Sequence, residues 1–383
     1  MSTRKFFCKA PFSTLVIDTD GSLLPCCEFM TGDKKKHSIK DLEYWWGTHL
    51  NDIRDGMIKD QVAESCRYCI GKENNPELDH LRTGINDRIT IPEEKLIEQY
   101  RNKILHLPKI IEIRLGNYCN LKCTMCGPYA SSSILQEYLQ NKEIYNKIGI
   151  GSSVNETHRW WEDESSYDNL VKLLSISKSI HFGGGEPFLN PKIIDILQKI
   201  NKEVEISFST NLTIFTKKIR EVLEKFNSVR ISASIDGTDV HNEYIRFNSK
   251  WQVVDENIKK FKSMKNVYIE LYHILQHTSL YTLPKLMEYS KNNNIDISFG
   301  EVYYGSVDSS GHLTINSAPI EELKKFIKWY DHLDNNHDYL AIKHWIDSYK
   351  FDVKLYERFK VYFKTLDGIR GTNFEKTFGV AFN

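Results

Sequence analysis

From about residue 110 the chain alternates short apolar runs with longer amphipathic segments. The short runs are rich in β-branched and aromatic residues, which predicts strands. The segments between them repeat apolar residues three and four positions apart, which predicts helices that pack one face on a sheet. The six predicted strands are IIEIRL (110–115), SIHF (179–182), VEISFS (204–209), VRISASI (229–235), VYIELYHIL (267–275) and IDISFGEVY (295–303).

These alternations predict an α/β fold, because parallel strands need crossover helices between them. We expect the sheet to curl into a full or partial barrel, with the active site at the carboxyl ends of its strands. Before the barrel, TLVIDTDGSLLPC predicts a hairpin that turns at Asp20-Gly21. After about residue 317 the pattern is helical. We therefore divide the chain into a small α+β module at 1–107, a barrel at 108–305 and a helical extension at 306–383.

The composition is that of an ordinary globular protein without excess charge. Hydrophobic residues make up 40% of the 383 residues, and 51 basic residues balance 51 acidic ones. A nucleic-acid partner is therefore not expected, since it needs a basic surface. No segment is long and apolar enough to span a bilayer, and the N-terminus lacks the apolar core of a signal peptide. We expect a cytoplasmic protein without a membrane partner, whose cysteines bind metal in place of forming disulfides.

Three cysteines lie directly after the first barrel strand, in the segment CNLKCTMC. Cys119, Cys123 and Cys126 form a C-x3-C-x2-C pattern without a nearby fourth ligand. Structural zinc sites and ordinary iron–sulfur clusters take four protein ligands. Three thiolates on a 4Fe–4S cluster would leave one iron open, as reactive metal sites require. A zinc site completed by a distant His or Cys is the alternative.

This pattern and its place in the chain resemble those of the radical S-adenosylmethionine (radical SAM) enzymes. The resemblance covers roughly residues 108–305 and implies a partial (β/α)6 barrel. It also implies that S-adenosylmethionine binds the open iron and is cleaved by one electron from a flavodoxin or ferredoxin-type donor. The product of that cleavage is a 5′-deoxyadenosyl radical that abstracts hydrogen from a substrate. The protein's part is to hold the cofactor and exclude competing reactions.

Two further motifs support the resemblance. HFGGGEPFLN (181–190) is similar to the GGE motif of the family, which implies that Gly184, Gly185 and Glu186 bind the methionyl amino group. Glycines allow a close backbone approach, and a carboxylate accepts hydrogen bonds from an ammonium group. His181 in the same segment is interpreted as a strand residue that faces the core or the barrel, without a chemical role.

The second motif, ISASIDGTDVHNEYIRF (231–247), is similar to a segment of the subgroup that carries extra clusters. The resemblance implies that Ser234 lies near the ribose and that Arg246 pairs with the cofactor carboxylate, which suits a planar guanidinium. The alternative is a simple turn followed by a surface arginine. Ser209 and Asn211 are further candidate contacts, and Met125 stands where the family often has an aromatic residue near adenine.

The N-terminal module carries a second set of cysteines. Its pattern C-x12-G-x4-C is followed by the pair CRYC, and four of its thiols could complete a metal site: Cys8, Cys26, Cys66 and Cys69. Spacing alone leaves zinc and 4Fe–4S open. The pattern resembles the SPASM and twitch domains, which implies one auxiliary 4Fe–4S cluster, although those domains usually follow the barrel. Cys26 keeps the glycine spacing, but Cys27 could replace it.

The function that these observations favour is hydrogen abstraction from a substrate by a radical SAM enzyme. We expect the oxidation or cross-linking of a peptide or small molecule. Modification of a sugar or a nucleotide is an alternative, and a non-catalytic zinc-binding module is the alternative from another class. No catalytic acid or base can be assigned from the sequence. Glu301, Tyr303 and Tyr304 are candidates only by their position near the end of the sixth strand.

Overall fold

A computed structural model of the chain describes residues 4–29, 36–73, 81–151, 156–302, 311–333 and 339–382. It contains one eight-stranded sheet with the order β2-β1-β3-β4-β5-β6-β7-β8. The strands are β1 (Thr14–Ile17), β2 (Leu23–Leu24), β3 (Ile110–Arg114), β4 (Ser179–Gly183), β5 (Glu205–Thr210), β6 (Val229–Ser234), β7 (Val267–Leu275) and β8 (Asp296–Glu301).

Strands β3 to β8 pair in parallel and in chain order. They coincide, within two residues at each end, with the six predicted strands, so the predicted α/β fold with a partial barrel is confirmed. Tyr303 and Tyr304 lie outside the described residues.

Side chains alternate between the two faces of these strands. One face is apolar and packs under helices, as Ile113, Phe182 and Phe208 show. The opposite face is polar and is called the polar face here. It carries two rows of paired residues. The first row is Glu112, His181 and Ser207 on β3, β4 and β5. The second row, nearer the carboxyl ends, is Ser209 and Ser232 on β5 and β6, and Ser234 lies two residues after Ser232.

Helices cover the apolar face and the flanks. The N-terminal helices are α1 (Ala10–Ser13), α2 (Leu42–Tyr44), α3 (Asn51–Ile58), α4 (Arg67–Glu73), α5 (Leu81–Arg88) and α6 (Glu93–Arg101), with a π-helical turn at Trp45–His49. The barrel helices are α7 (Ser132–Gln140), α8 (Lys142–Lys147), α9 (Glu164–Ser175), α10 (Ile193–Lys199), α11 (Lys217–Leu223), α12 (Asp239–Ile245), α13 (Trp251–Lys262) and α14 (Ser279–Asn293). The C-terminal helices are α15 (Ile320–Tyr330), α16 (Leu340–Asp347), α17 (Val353–Arg370) and α18 (Phe374–Phe378). None of the described helices combines the length and apolar character that a membrane span needs.

The predicted N-terminal hairpin is confirmed, and it belongs to the main sheet. β1 pairs antiparallel with β2, and the turn contains Gly21 with a φ of +81°, which favours glycine. β1 also pairs in parallel with β3, with Val16 opposite Glu112. The N-terminal module and the barrel therefore share one sheet, while the boundaries drawn between them stay a prediction.

Candidate active site

The three cysteines of CNLKCTMC face one cavity at the carboxyl ends of the strands. They lie in the segment between β3 and α7, residues 115–131, which is called the cysteine loop here. Cys119 and Cys123 are buried and Cys126 is half-buried. All three line a cavity of about 300 Å³, called the carboxyl-edge cavity. The sequence spacing thus brings the thiols together as predicted.

Hydrogen bonds from distant segments fix the cysteine loop. The amide of Lys122 donates to Phe247 O at 2.9 Å, and that of Thr124 donates to Ile245 O at 2.8 Å, so the end of α12 holds the loop. From the C-terminal side, the Tyr362 hydroxyl donates to Thr124 O at 2.5 Å. The cysteine loop is therefore held from two sides, by the end of α12 and by α17.

Two nitrogen donors approach the sulfur atoms. Asn211 Nδ2 lies 3.8 Å from Cys119 Sγ, and Arg246 Nη1 lies 3.8 Å from Cys123 Sγ. Burial raises the pKa of Cys119 to about 12. A hydrogen bond from Cys126 and the charge of Arg246 lower the pKa of Cys123 against the effect of its burial. Donors of this kind stabilise thiolate charge, so the site fits a metal–thiolate cluster.

The walls of the carboxyl-edge cavity contain seven of the eight residues predicted to bind the cofactor. Glu301 also lines it, at the end of β8. The structure adds Tyr272 and Ile274 of β7, which sequence analysis missed. Strand alternation could have indicated them, because they lie two residues apart on one face. The seven predicted residues are Met125, Gly184, Gly185, Ser209, Asn211, Ser234 and Arg246.

The two glycines allow the turn after β4 to pack against the cysteine loop. Gly184 has a φ of +96°, in the left-handed region. A Cβ atom on Gly185 would lie 2.4 Å from the backbone oxygen of Tyr118. Side chains at either position would therefore displace the cysteine loop.

Glu186, the eighth predicted residue, lies behind the cavity wall. Its carboxylate accepts hydrogen bonds from Asn211 N at 2.7 Å, Thr210 Oγ1 at 2.8 Å and Phe188 N at 3.1 Å. Burial raises the pKa of Glu186 to about 7. The side chain thus fixes the end of β5, which carries Asn211, and its role toward a cofactor amino group stays a prediction.

Arg246 is buried and ion-paired. Its Nη2 lies 2.7 Å from Asp236 Oδ2, and the two side chains are 9% and 0% exposed. The alternative of a surface arginine is therefore wrong. Within the described part of the chain, the buried Nε of Arg246 has no hydrogen-bond partner. An anionic ligand in the cavity would satisfy this donor.

The second cysteine set lies at the amino ends of the parallel strands, opposite the carboxyl ends where the cysteine loop lies. The hydroxyl of Thr14, at the start of β1, donates to Pro25 O at 2.5 Å, which places Cys26 beside the amino end of the strand. The cysteine loop follows the carboxyl end of β3, which runs parallel to β1. Since a strand rises about 3.3 Å per residue, the five residues of β3 separate the edges by about 17 Å.

Four thiols of the second set influence one another. Burial raises the pKa of Cys8 to about 12, and Cys66 and Cys69 add to the effect. Burial and the nearby Cys8 raise the pKa of Cys26 well above its ordinary value. The four cysteines predicted for one site are therefore neighbours in space.

Cys27 has different surroundings. Burial raises its pKa to about 12, with further contributions from Glu112 and Glu28. Cys26 and Cys27 both line a cavity of about 980 Å³ along the amino ends of β1, β3, β4 and β5, called the amino-edge cavity. Cys27 thus interacts with Cys26 as well as with these carboxylates, and the choice between Cys26 and Cys27 as a ligand stays a prediction.

Neither cysteine set forms a ready site for a single ion. Among the described residues, no three His, Cys, Asp or Glu side chains are arranged to hold one metal ion. In a four-iron cluster each thiolate binds a different iron. The thiols must therefore face one cavity, but they need not converge on a single point as the ligands of one metal ion do. The three thiols of the cysteine loop meet that requirement.

Comparison with known proteins finds a family match within the barrel. Residues 113–278 match the family model of the Radical SAM superfamily. Radical SAM cyclopropyl synthase TigE of Paramaledivibacter caminithermalis is 26% identical over 195 residues, which cover 49% of this chain and 40% of that protein.

Two further proteins are similar to the chain. A probable GTP 3′,8-cyclase of Methanocaldococcus jannaschii is 24% identical over 220 residues, which cover 56% of this chain and 66% of that protein. The crystal structure of Streptococcus suis SuiB bound to precursor peptide SuiA superposes with a TM-score of 0.41 at 13% identity, covering 88% of this chain and 70% of that one. The chain spans less than half the length of the cyclopropyl synthase.

Proposed function

We propose that this protein is an enzyme that uses S-adenosylmethionine and a 4Fe–4S cluster to abstract hydrogen from a bound substrate. The carrying observation is that three thiols and the buried Arg246, all within the residues that match the Radical SAM family model, line one cavity. Cys119, Cys123 and Cys126 would hold the cluster, which supplies the electron that cleaves the cofactor. Arg246, whose Nε has no hydrogen-bond partner among the described residues, would bind the cofactor carboxylate.

The second cysteine set would hold an auxiliary 4Fe–4S cluster, as in twitch domains. Four neighbouring thiols support a closed site, in which the cluster handles electrons and does not bind the substrate. A site of that kind suits a net oxidation, since the substrate must lose an electron after it loses a hydrogen atom. The external electron donor would be a flavodoxin or a ferredoxin.

The substrate would be a peptide or a small molecule that is oxidised or cross-linked. The name of the cyclopropyl synthase favours bond formation between carbon atoms, and that of the GTP cyclase favours the nucleotide alternative. The carboxyl-edge cavity offers the hydroxyl groups of Ser209, Ser234 and Tyr272 and the carboxylate of Glu301 to such a substrate. These groups suit a polar substrate better than an apolar one.

Anaerobic reconstitution with iron and sulfide tests the proposal. We expect about eight irons per chain, from two 4Fe–4S clusters, and release of 5′-deoxyadenosine when dithionite is added with S-adenosylmethionine. A Cys123→Ala variant should keep only the irons of the second set and release no 5′-deoxyadenosine. Bound zinc without cofactor cleavage in the wild-type protein would instead support the zinc-binding module.

The substrate can be sought with the same assay. A deproteinised extract of the source organism, fractionated by chromatography, is added to the reduced enzyme. Fractions that increase 5′-deoxyadenosine release contain candidate substrates, and mass spectrometry then follows compounds that lose two hydrogen atoms. Stimulation confined to nucleotide fractions would favour the nucleotide alternative.

A further inference from the structure

His181 connects two serine hydroxyls across two rows of the polar face. Its Nδ1 lies 2.9 Å from Ser207 Oγ, and its Nε2 lies 3.1 Å from Ser209 Oγ. The imidazole lies over Gly183, where a Cβ atom would be 3.6 Å from Nε2, an ordinary van der Waals contact. Both ring nitrogens are therefore engaged with groups that can donate and accept protons.

The hydrogen-bonded chain runs from one cavity to the other. Ser209 lines the carboxyl-edge cavity with the three cysteines. Ser207 and His181 line the amino-edge cavity. A proton that enters at Ser209 can thus leave at Ser207 without movement of the backbone.

We propose that Ser209, His181 and Ser207 form a proton relay that takes the substrate proton out of the carboxyl-edge cavity. This inference rests on the proposed oxidation. In that reaction a C–H bond gives its hydrogen atom to the cofactor-derived radical, and the substrate radical gives one electron to an oxidised iron–sulfur cluster. A neighbouring O–H or N–H group loses a proton as the double bond forms. Ser209 Oγ accepts that proton and passes its own to His181 Nε2, His181 Nδ1 passes its proton to Ser207 Oγ, and Ser207 releases its own to water in the amino-edge cavity.

The charge state of the imidazole agrees with this role. Burial lowers the pKa of His181, and the neighbouring Arg114 and Arg88 lower it further, against the opposing effect of Glu112. The ring is therefore neutral near pH 7, with one nitrogen that accepts and one that donates. Glu112 stands opposite His181 in the strand register and can stabilise the imidazolium formed during transfer.

The bridge itself is tested without substrate or clusters, by nitrogen-15 NMR of histidine-labelled full-length protein at pH 7. We expect a neutral His181 imidazole whose two nitrogens respond to different serines. Ser209→Ala should shift the Nε2 resonance, and Ser207→Ala should shift the Nδ1 resonance. A charged imidazole in the wild type, or substitutions that leave both resonances unchanged, would overturn the relay.

Turnover is tested with reconstituted enzyme and the extract fraction that stimulates 5′-deoxyadenosine release. His181→Gln and Ser207→Ala should lower the amount of substrate oxidised per 5′-deoxyadenosine by about 10²-fold, a usual contribution of a general base. The loss should be smaller at low pH, because protonation of His181 would disable the relay of the wild type as well. Ser232→Ala is the matched control, since Ser232 pairs with Ser209 in the sheet register but lies outside the relay. Its ratio should equal that of the wild type.

The outcomes separate the two proposals. Absence of 5′-deoxyadenosine from wild-type enzyme contradicts the proposed function. Release of 5′-deoxyadenosine with an unchanged oxidation ratio in both relay variants contradicts the relay alone. If His181→Gln does not fold, Ser207→Ala carries the test, because it removes only one hydroxyl group.

Discussion

Glu186 is a buried carboxyl group. Burial raises its pKa, and its three hydrogen-bond donors lower it by a smaller amount. Its pKa lies at about 7 in the folded protein, against 4.5 ordinarily. Since the unfolded chain ionises first, folding loses stability as the pH rises from about 4.5 to about 7. The loss amounts to about 3 kcal/mol, at about 1.4 kcal/mol for each pKa unit.

Chemical denaturation of wild-type and Glu186→Gln protein tests this dependence. The stability of the wild type relative to the variant should fall by about 3 kcal/mol between pH 4 and pH 8. The comparison removes the contributions of other titrating groups, which the two proteins share. A difference that stays constant with pH would contradict the raised pKa.

Arg246 neutralises Asp236 in the interior, so its removal leaves a buried charge. Arg246→Met should lower the free energy of unfolding by about 3–5 kcal/mol. Arg230→Met is the control, because Arg230 is 58% exposed in its ion pair with Glu270. That change should cost below about 1 kcal/mol. Equal losses in urea denaturation would contradict the distinction between the two ion pairs.

Sequence motifs located the groups that line the carboxyl-edge cavity, but they did not reveal what those groups contact. The position of Glu186 behind the wall depends on backbone amides at the end of β5, which no motif encodes. The ion pair of Arg246 joins the segment after β6 to the end of α12. His181 was predicted to face the core or the barrel, but its two serine partners come from the register with β5.

At the scale of elements, α17 holds the cysteine loop through a hydrogen bond. Tyr362→Phe removes the hydroxyl that donates to Thr124 O. We expect a loss of about 0.5–1.5 kcal/mol in unfolding free energy and faster release of iron from reconstituted protein to a chelator.

Tyr349→Phe is the matched control for that change. Tyr349 donates a similar hydrogen bond to Ala318 O at 2.9 Å, among the C-terminal helices. This variant should lose comparable stability but retain iron as the wild type does. Equal iron release from both variants would show that the effect is general destabilisation and not a loosened cysteine loop.

Short runs rich in β-branched and aromatic residues predicted strands β3 to β8, and that signal is local. The pairing of β1 with β3 was not predicted, since it joins segments nearly a hundred residues apart and depends on the tertiary fold. The hairpin turn was predicted because glycine at Gly21 satisfies a positive φ. The sequence therefore predicted the strands and the turn, which depend on local residues, but not the pairing of β1 with β3.

At the scale of the whole molecule, the two cysteine sets lie at opposite edges of one sheet and should load independently. Cys26→Ser should reduce the iron content from about eight to about four per chain, while the cluster of the cysteine loop still cleaves S-adenosylmethionine. Cys27→Ser should retain about eight irons, because Cys26, which keeps the glycine spacing, is the predicted fourth ligand. Electron paramagnetic resonance and iron analysis check both variants. If Cys27→Ser loses iron and Cys26→Ser does not, Cys27 is the ligand in place of Cys26.

The parallel pairing of β1 with β3 also governs how the protein tolerates truncation. Removal of residues 1–107 would take away β2 and β1, the neighbour of β3 on that side, and turn β3 into an exposed edge strand. Such an edge offers free backbone groups and the apolar side chains Ile111 and Ile113 to other chains. The shortened protein should self-associate and accumulate in inclusion bodies, although its cysteine loop is intact. Residues 1–107 are thus expected to protect the barrel from aggregation, because they cover the edge of β3.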